Sequence, residues 1–129
     1  MTIVPAKLHH VSRQTQRLDE TRQFYVDVLG FREISRPPFS FRGAWLYGAG
    51  IQMHLIEATF EAPDMAINGR ENHIAFAVED MDGAEELLKQ RGINYKRNVV
   101  PERGTNQIFF RDPDGWLIEL GLYPAVMDR

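Results

Sequence analysis

Three of the four histidines and one glutamate in this 129-residue chain occupy matching places in two similar stretches of sequence. The four residues are His10, His54, His73 and Glu119. Around His73 and Glu119, the alternation of a β-strand puts the polar side chain on the face opposite the bulky apolar residues. A buried glutamate without a partner is costly, so such a residue is usually paired or bound to a metal. The sequence therefore predicts a cavity lined by these polar groups.

The two stretches are predicted to be copies of one βαβββ unit. The first strand is predicted over Ala6–Arg13, and a strand with a histidine opens each copy. A segment of helical periodicity follows in each, Leu18–Leu29 in the first and Met81–Arg91 in the second. A glycine, Gly30 or Gly92, then ends the helix. Because matching landmarks are separated by nearly constant distances along the chain, an internal repeat is indicated.

This repeat predicts a single domain, 1–129, made of two modules. Module one covers about 6–57, a connecting linker covers 58–70, and module two covers about 71–123. The linker is assigned from its proline, asparagine and glycine content and its mixed polarity. The residues from Tyr123 onward are predicted to form a tail.

Composition excludes several classes of function. The net charge of −3, without a basic cluster, argues against nucleic acid as a partner. The absence of cysteine excludes disulfides, a thiol nucleophile and a thiolate metal site. No apolar run approaches the roughly 20 residues of a membrane span, so no membrane partner is expected. The first residues lack the apolar core of a signal peptide, which makes a cytoplasmic location the default expectation.

Several short motifs mark the ends of the two modules. They are Leu8-His9-His10-Val11, Leu29-Gly30-Phe31, Asn72-His73-Ile74-Ala75-Phe76 and Asp112-Pro113-Asp114-Gly115 followed by Ile118-Glu119. This pattern resembles the vicinal oxygen chelate superfamily, which includes glyoxalase I, methylmalonyl-CoA epimerase, fosfomycin-resistance enzymes and extradiol dioxygenases. The resemblance implies an α+β fold in which paired βαβββ modules form an open, cup-shaped mixed β-sheet around a divalent metal. It also implies a homodimer.

The same resemblance implies a set of metal ligands. Carried over by position, they are His10, His54, His73 and Glu119. Imidazole with carboxylate suits Zn, Ni, Fe, Mn or Co, and the sequence does not choose among these metals. Glu119 has a second implied role as the base that moves a proton next to a carbonyl group. One position differs from the family, since bacterial members similar to glyoxalase I usually carry a glutamate where His54 stands.

Four further residues are weaker candidates for contacting a small-molecule substrate. They are Gln52, Ser12, Arg103 and Arg111. Gln52 faces the same way as His54, which suits it to bind the metal or a substrate oxygen. The hydroxyl of Ser12 lies on the cavity side, and the arginines suit an anionic substrate group or a solvated surface equally.

Four aromatic residues in and after the loop that begins at Pro37 are weak candidates for the wall of an apolar pocket. They are Phe39, Phe41, Trp45 and Tyr47. Such residues line an apolar pocket or belong to the core, and the sequence favours the core.

The function favoured by these patterns is a metal-dependent lyase or isomerase, similar to glyoxalase I or an epimerase, acting on a small molecule with adjacent oxygen atoms. An extradiol-type dioxygenase is an alternative, because His10, His73 and Glu119 would form a two-histidine, one-carboxylate set for Fe(II). A fosfomycin-type transferase and a metal-free protein that binds bleomycin-like drugs are further alternatives implied by the resemblance.

Overall fold

The computed structural model describes residues 1–123, and in this range the chain forms two successive βαβββ modules. The elements are β1 (His10–Thr15), α1 (Leu18–Leu29), β2 (Arg32–Ile34), β3 (Gly43–Gly48), β4 (Ile51–Glu57), β5 (His73–Ala77), α2 (Met81–Gln90), β6 (Tyr95–Val100), β7 (Thr105–Arg111) and β8 (Leu117–Gly121). The predicted α+β class and paired modules are confirmed. Tyr123 is the last described residue, so the rest of the predicted tail lies outside the described part of the chain.

The chain divides into two compact units, one covering Met1–Ala62 and the other starting at Pro63. Each unit contains its own mixed four-stranded sheet, with strand orders β1-β4-β3-β2 and β5-β8-β7-β6. In both sheets the first strand of the unit lies parallel to the last, and the remaining pairs are antiparallel. This order places the two strands with polar residues next to each other in each unit.

In the first unit the core lies between α1 and one face of its sheet. Its largest fully buried side chains are Tyr25, Leu46, Met53 and Leu55. Acidic residues in the first turn of α1 interact favourably with the helix dipole at its N-terminus. Gly30 ends the helix directly after its last residue, Leu29. Burial of each large apolar side chain contributes roughly 1.5–3 kcal/mol to the stability of the fold. These contacts therefore determine which face of the sheet packs against α1. The opposite face of the sheet is left for polar side chains.

The second unit repeats this arrangement around α2. The backbone N–H of Gly83 donates to the side chain of Asp80 over 2.8 Å, which caps the N-terminus of the helix. The buried residues between α2 and the sheet include Leu88, Ile108, Phe110 and Ile118. Among residues 1–123, no helix is long and apolar enough to cross a membrane.

The first strand is displaced from its predicted position. It begins at His10 rather than Ala6, because β1 pairs with β4 alone and β4 starts at Ile51. The backbone carbonyl of His9 still accepts from the N–H of Gln52 over 3.2 Å, and the ladder ends there. Earlier residues have no strand to pair with, so their apolar character does not make them part of the sheet.

Candidate functional site

The first unit presents a polar face on the side of its sheet opposite α1. Met53 and Leu55 of β4 point toward the helix and are fully buried, so the alternate residue His54 points to the other face. His54 is aligned with Ser12 of β1 and with Trp45 of β3. The predicted histidine is thus placed by the same alternation that builds the core.

His10 and His54 form a stacked pair of imidazoles on this face. Their ring centroids are 4.2 Å apart with an interplanar angle of 15°. The indole of Trp45 stacks on His54 at 4.1 Å with an angle of 4°, so His54 lies between two parallel rings. Oε1 of Gln52 lies 2.9 Å from Nε2 of His54, which confirms that these two side chains face the same way. Three nitrogen or oxygen donors therefore occur within one small area.

The electrostatic surroundings keep His54 neutral. Burial lowers the pKa of His54, and positive charge at His10, His9 and Arg36 lowers this pKa further. His54 is only 9 % exposed. A neutral imidazole is the form that binds a metal, so His54 is ready to act as a ligand near pH 7.

The second unit brings His73 and Glu119 together, as the sequence predicts for neighbouring strands. Nε2 of His73 lies 3.1 Å from Oε1 of Glu119. The carbonyl of Glu71 lies 2.7 Å from Nδ1 of His73, and because a carbonyl only accepts, Nδ1 must carry a proton. In the neutral ring Nε2 then carries a lone pair, and this lone pair faces a carboxylate oxygen. Either a proton on Nε2 or a bound cation satisfies both atoms, and a histidine fixed through its other nitrogen is typical of metal ligands.

The other oxygen of Glu119 is held by two side chains that the sequence analysis missed. Oε2 accepts from the hydroxyl of Tyr123 and from Nε2 of Gln107, the latter over 3.4 Å. Gly121 makes the contact with Tyr123 possible, because a Cβ there would lie 2.7 Å from the tyrosine ring. Burial and the bond to Glu119 raise the pKa of Tyr123 above its usual range. Continuing the alternation of Glu119 and Gly121 by one step to Tyr123 would have identified this partner.

The four predicted ligands therefore occur as two pairs, His10 with His54 and His73 with Glu119. Within residues 1–123 no group of three or more histidine, aspartate or glutamate side chains is assembled that could hold a metal ion. Each pair nevertheless fits a divalent cation by its own chemistry, since both consist of closely spaced imidazole or carboxylate donors on the face away from the core.

Arg111 is buried and bonds to other residues of its own unit. It is 7 % exposed and donates to both carboxylate oxygens of Glu71 and to the carbonyls of Gly115 and Ala66. These bonds raise the pKa of Arg111 and hold the pKa of Glu71 below its ordinary 4.5. They tie the predicted linker to the turn before β8. The guanidinium therefore serves to hold these segments together, and we do not propose it as a substrate contact.

The other predicted contact residues are distributed unequally. Ser12 lies on the face of β1 that carries His10, as expected from alternation. Arg103 lies in a short 3₁₀ turn, Pro101–Arg103, and is exposed. The aromatic residues do not belong to the core: Trp45 stacks on His54, and Phe39 and Phe41 are each 45 % exposed.

Comparison with known proteins gives consistent matches. The sequence model described as "Glyoxalase/Bleomycin resistance protein/Dioxygenase superfamily" matches residues 7–120. The chain is 44 % identical over 119 residues to "Glyoxylase I 4" of Arabidopsis thaliana, covering 88 % of this chain and 68 % of the relative. It is 32 % identical over 124 residues to a lactoylglutathione lyase of Salmonella typhimurium, covering 88 % and 90 %.

The fold also matches solved structures of other proteins. One is a variant of a fosfomycin resistance protein from Listeria monocytogenes, solved with Mn(II) and 1S,2S-dihydroxypropylphosphonic acid. The TM-score is 0.80 at 21 % identity, and the match covers 94 % of this chain and 95 % of that one. At this identity the likeness supports the shared architecture alone.

Proposed function

Because the chain belongs to the Glyoxalase/Bleomycin resistance protein/Dioxygenase superfamily, we propose that it is a divalent-metal-dependent enzyme of the glyoxalase I type. Its reaction is that of a lyase or isomerase on a small molecule with adjacent oxygen atoms. Two relatives carry the names glyoxylase I and lactoylglutathione lyase, which supports this reaction class. The observation that carries the proposal is the His73–Glu119 pair, whose facing acceptor atoms lie 3.1 Å apart and suit a bound cation.

We assign the metal ligands to both pairs. His10 and His54 supply two imidazoles, and His73 and Glu119 supply an imidazole and a carboxylate. A divalent metal bound by this donor set supplies Lewis-acid stabilisation of an oxyanion on the substrate. Zn, Ni, Fe, Mn and Co all accept such donors.

Glu119 is the proton carrier in this proposal. Its Oε2 is held by Tyr123 and Gln107, so Oε1, the oxygen beside Nε2 of His73, is the one that would exchange the proton with the substrate. Oε1 accepts the proton from the carbon next to a carbonyl and returns it to the neighbouring carbon, which isomerises the substrate without net loss of atoms. Because position 54 carries an imidazole, Glu119 is the one carboxylate among the four proposed ligands. A single base therefore performs both transfers.

Metal content and activity together test this proposal. We expect the purified wild type to contain a divalent metal and to isomerise a hemithioacetal of a 2-oxoaldehyde. His73→Ala and Glu119→Ala are expected to lose both properties. Glu102→Ala is the matched control for Glu119→Ala, because Glu102 is an exposed carboxylate in the 3₁₀ turn and is not assigned as a ligand. Metal content that is unchanged in both ligand variants would overturn the assignment.

An extradiol-type dioxygenase is a second candidate, favoured by the contacts of His54. That imidazole is already bonded to Gln52 and enclosed by His10 and Trp45, which leaves His10, His73 and Glu119 as a two-histidine, one-carboxylate set. Such a set serves Fe(II) and O2 chemistry. Oxygen uptake by the Fe(II)-loaded protein in the presence of a catechol separates the candidates, since the proposed lyase consumes no oxygen.

A further inference from the structure

One half-buried guanidinium near the polar face of the first sheet has no carboxylate partner among residues 1–123. Arg22, Arg42 and Arg97 each form an ion pair at 3.0 Å or less. Arg36 forms none with any of residues 1–123. It immediately precedes the two prolines of the β2–β3 loop. A half-buried arginine without a counter-charge is unusual, because burial of an unpaired charge is costly.

Arg36 is nevertheless held in a defined position. Its Cζ lies 5.0 Å from the ring centroid of Phe39 and 5.0 Å from that of Phe41. Its Nη2 donates to the carbonyl of Phe41 over 2.8 Å. The side chain also passes over Gly43, where an added Cβ would lie 3.1 Å from Nη2. The guanidinium is thus ordered by cation–π contacts and one hydrogen bond, while its remaining N–H groups have no carboxylate to bind.

The rings around Arg36 form a continuous aromatic surface that leads to the candidate metal ligands. We call Phe39, Phe41 and Trp45 the aromatic platform. Phe39 and Phe41 stack with centroids 5.2 Å apart, and Phe39 lies 6.2 Å from Trp45. Trp45 in turn stacks on His54. Since Phe39 and Phe41 are each 45 % exposed, large apolar rings are available beside an unpaired cation.

We propose that Arg36 and the aromatic platform bind the arm of the substrate that extends away from its adjacent oxygen atoms. The arm is apolar, best aromatic, and carries a carboxylate. A guanidinium matches a carboxylate through two parallel hydrogen bonds, and the platform supplies the stacking surface for the apolar part. The proposal rests on the proposed function for the metal-binding end of the substrate, but Arg36, Phe39 and Phe41 lie outside the ligand set.

A matched pair of probes tests the subsite on metal-free protein. The probes are 3-phenylpropionate and its neutral counterpart 3-phenylpropionamide, and binding is followed through the NMR signal of the Trp45 indole N–H. We expect the wild type to bind the carboxylate about tenfold more tightly than the amide, because a charged hydrogen bond is about twice as strong as a neutral one. Arg36→Gln is expected to remove this preference, and Phe39→Leu to weaken both probes alike.

Arg32→Gln is the matched control. Arg32 lies over the ring of Tyr47 at 5.1 Å on the same sheet, so its loss changes the net charge equally while leaving Arg36 in place. We expect it to keep the carboxylate preference. Arg36→Lys keeps the charge without the planar fork and decides the matter should Arg36→Gln fail to fold; it is expected to retain only part of the preference.

The subsite proposal is overturned by equal binding of both probes to the wild type, or by a carboxylate preference that survives in Arg36→Gln. Because the protein in this experiment contains no metal, its outcome is independent of the metal analysis. A protein that binds 3-phenylpropionate through Arg36 but holds no metal would retain the subsite and lose the proposed reaction. The converse result would retain the reaction and lose the subsite.

Discussion

The two modules share one fold and hold different polar pairs at equivalent strand positions. In the first, His10 stacks on His54, Trp45 stacks on the other face of His54, and burial lowers the pKa of His54. In the second, His73 faces Glu119, whose second oxygen is held by hydrogen-bond donors. Repetition of the βαβββ unit therefore fixes where the polar pairs lie, while neighbouring side chains decide the charge and hydrogen bonding of each pair.

The modules also differ in how their arginine–glutamate pairs are used. Arg42 and Glu57 of the first unit form an exposed pair at 2.9 Å. Arg111 and Glu71 of the second form a pair at 2.7 Å in which the guanidinium is almost completely buried. Exposed pairs contribute little to stability, whereas breaking a buried pair leaves an uncompensated charge. The Arg111–Glu71 pair is therefore expected to contribute more to the stability of the second unit than the Arg42–Glu57 pair contributes to that of the first.

The largest effect is expected from removing the charge of the second pair. Glu119→Gln should weaken Zn²⁺ binding by more than about a hundredfold, because even residues that only orient ligands cost about 10–100-fold. His54→Gln should cost less, because it removes an uncharged donor. Isothermal titration of both variants measures the difference. Equal losses would mean that the two pairs contribute alike and would break the distinction drawn between them.

The next effect concerns stability and depends on pH. Glu71→Gln should lower the free energy of unfolding at pH 7 by roughly 2 kcal/mol, since a hydrogen bond to a charged group contributes about that much. The folded-state pKa of Glu71 is lowered below 4.5, so its contribution is fully present above pH 4.5 and is lost as pH falls through the folded value. Urea unfolding across this range should show the gap between wild type and variant closing in acid.

A smaller effect is expected from the hydroxyl that holds Glu119. Tyr123→Phe should weaken Zn²⁺ binding by about tenfold, because Oε2 loses a donor that orients the carboxylate. The melting temperature of the metal-free protein should change little. Tyr47→Phe is the control, since Tyr47 contacts Arg32 rather than a proposed ligand. A fall in melting temperature with no loss of metal affinity would assign Tyr123 a purely structural role.

The smallest effect is expected in the first unit. Glu57→Gln should change the free energy of unfolding by less than about 0.5 kcal/mol, because Arg42 and Glu57 are both exposed to solvent. Urea unfolding under the conditions used for Glu71→Gln provides the measurement. A loss comparable to that of Glu71→Gln would show that burial does not separate the two pairs.

The sequence predicted the elements and the ligand-bearing faces because both depend on local periodicity. Leu18–Leu29 is a helix as predicted, and alternation placed His73 and Glu119 on the face that brings them together. The start of β1 was predicted too early, because a strand's extent depends on the partner strand rather than on its own residues.

The contacts that the sequence analysis missed are those between residues distant in the chain or in irregular segments. Arg111 alternates to the polar face, but its partner Glu71 is 40 positions away, directly after a linker whose path has no periodic signature. Arg36 is oriented by a loop with two phenylalanines, and only the folded loop shows that both rings meet the guanidinium. Such contacts follow from chain paths that local patterns do not encode.

The central claim is that both polar pairs bind one divalent metal. X-ray absorption spectroscopy of the Zn²⁺-loaded wild type tests it most directly, because imidazole ligands at roughly 2.0–2.1 Å give a characteristic multiple-scattering pattern. We predict three imidazoles per zinc in the wild type, falling to two in His10→Ala and to two in His73→Ala. A spectrum without imidazole ligands, or one that changes in only one of these variants, would contradict the claim.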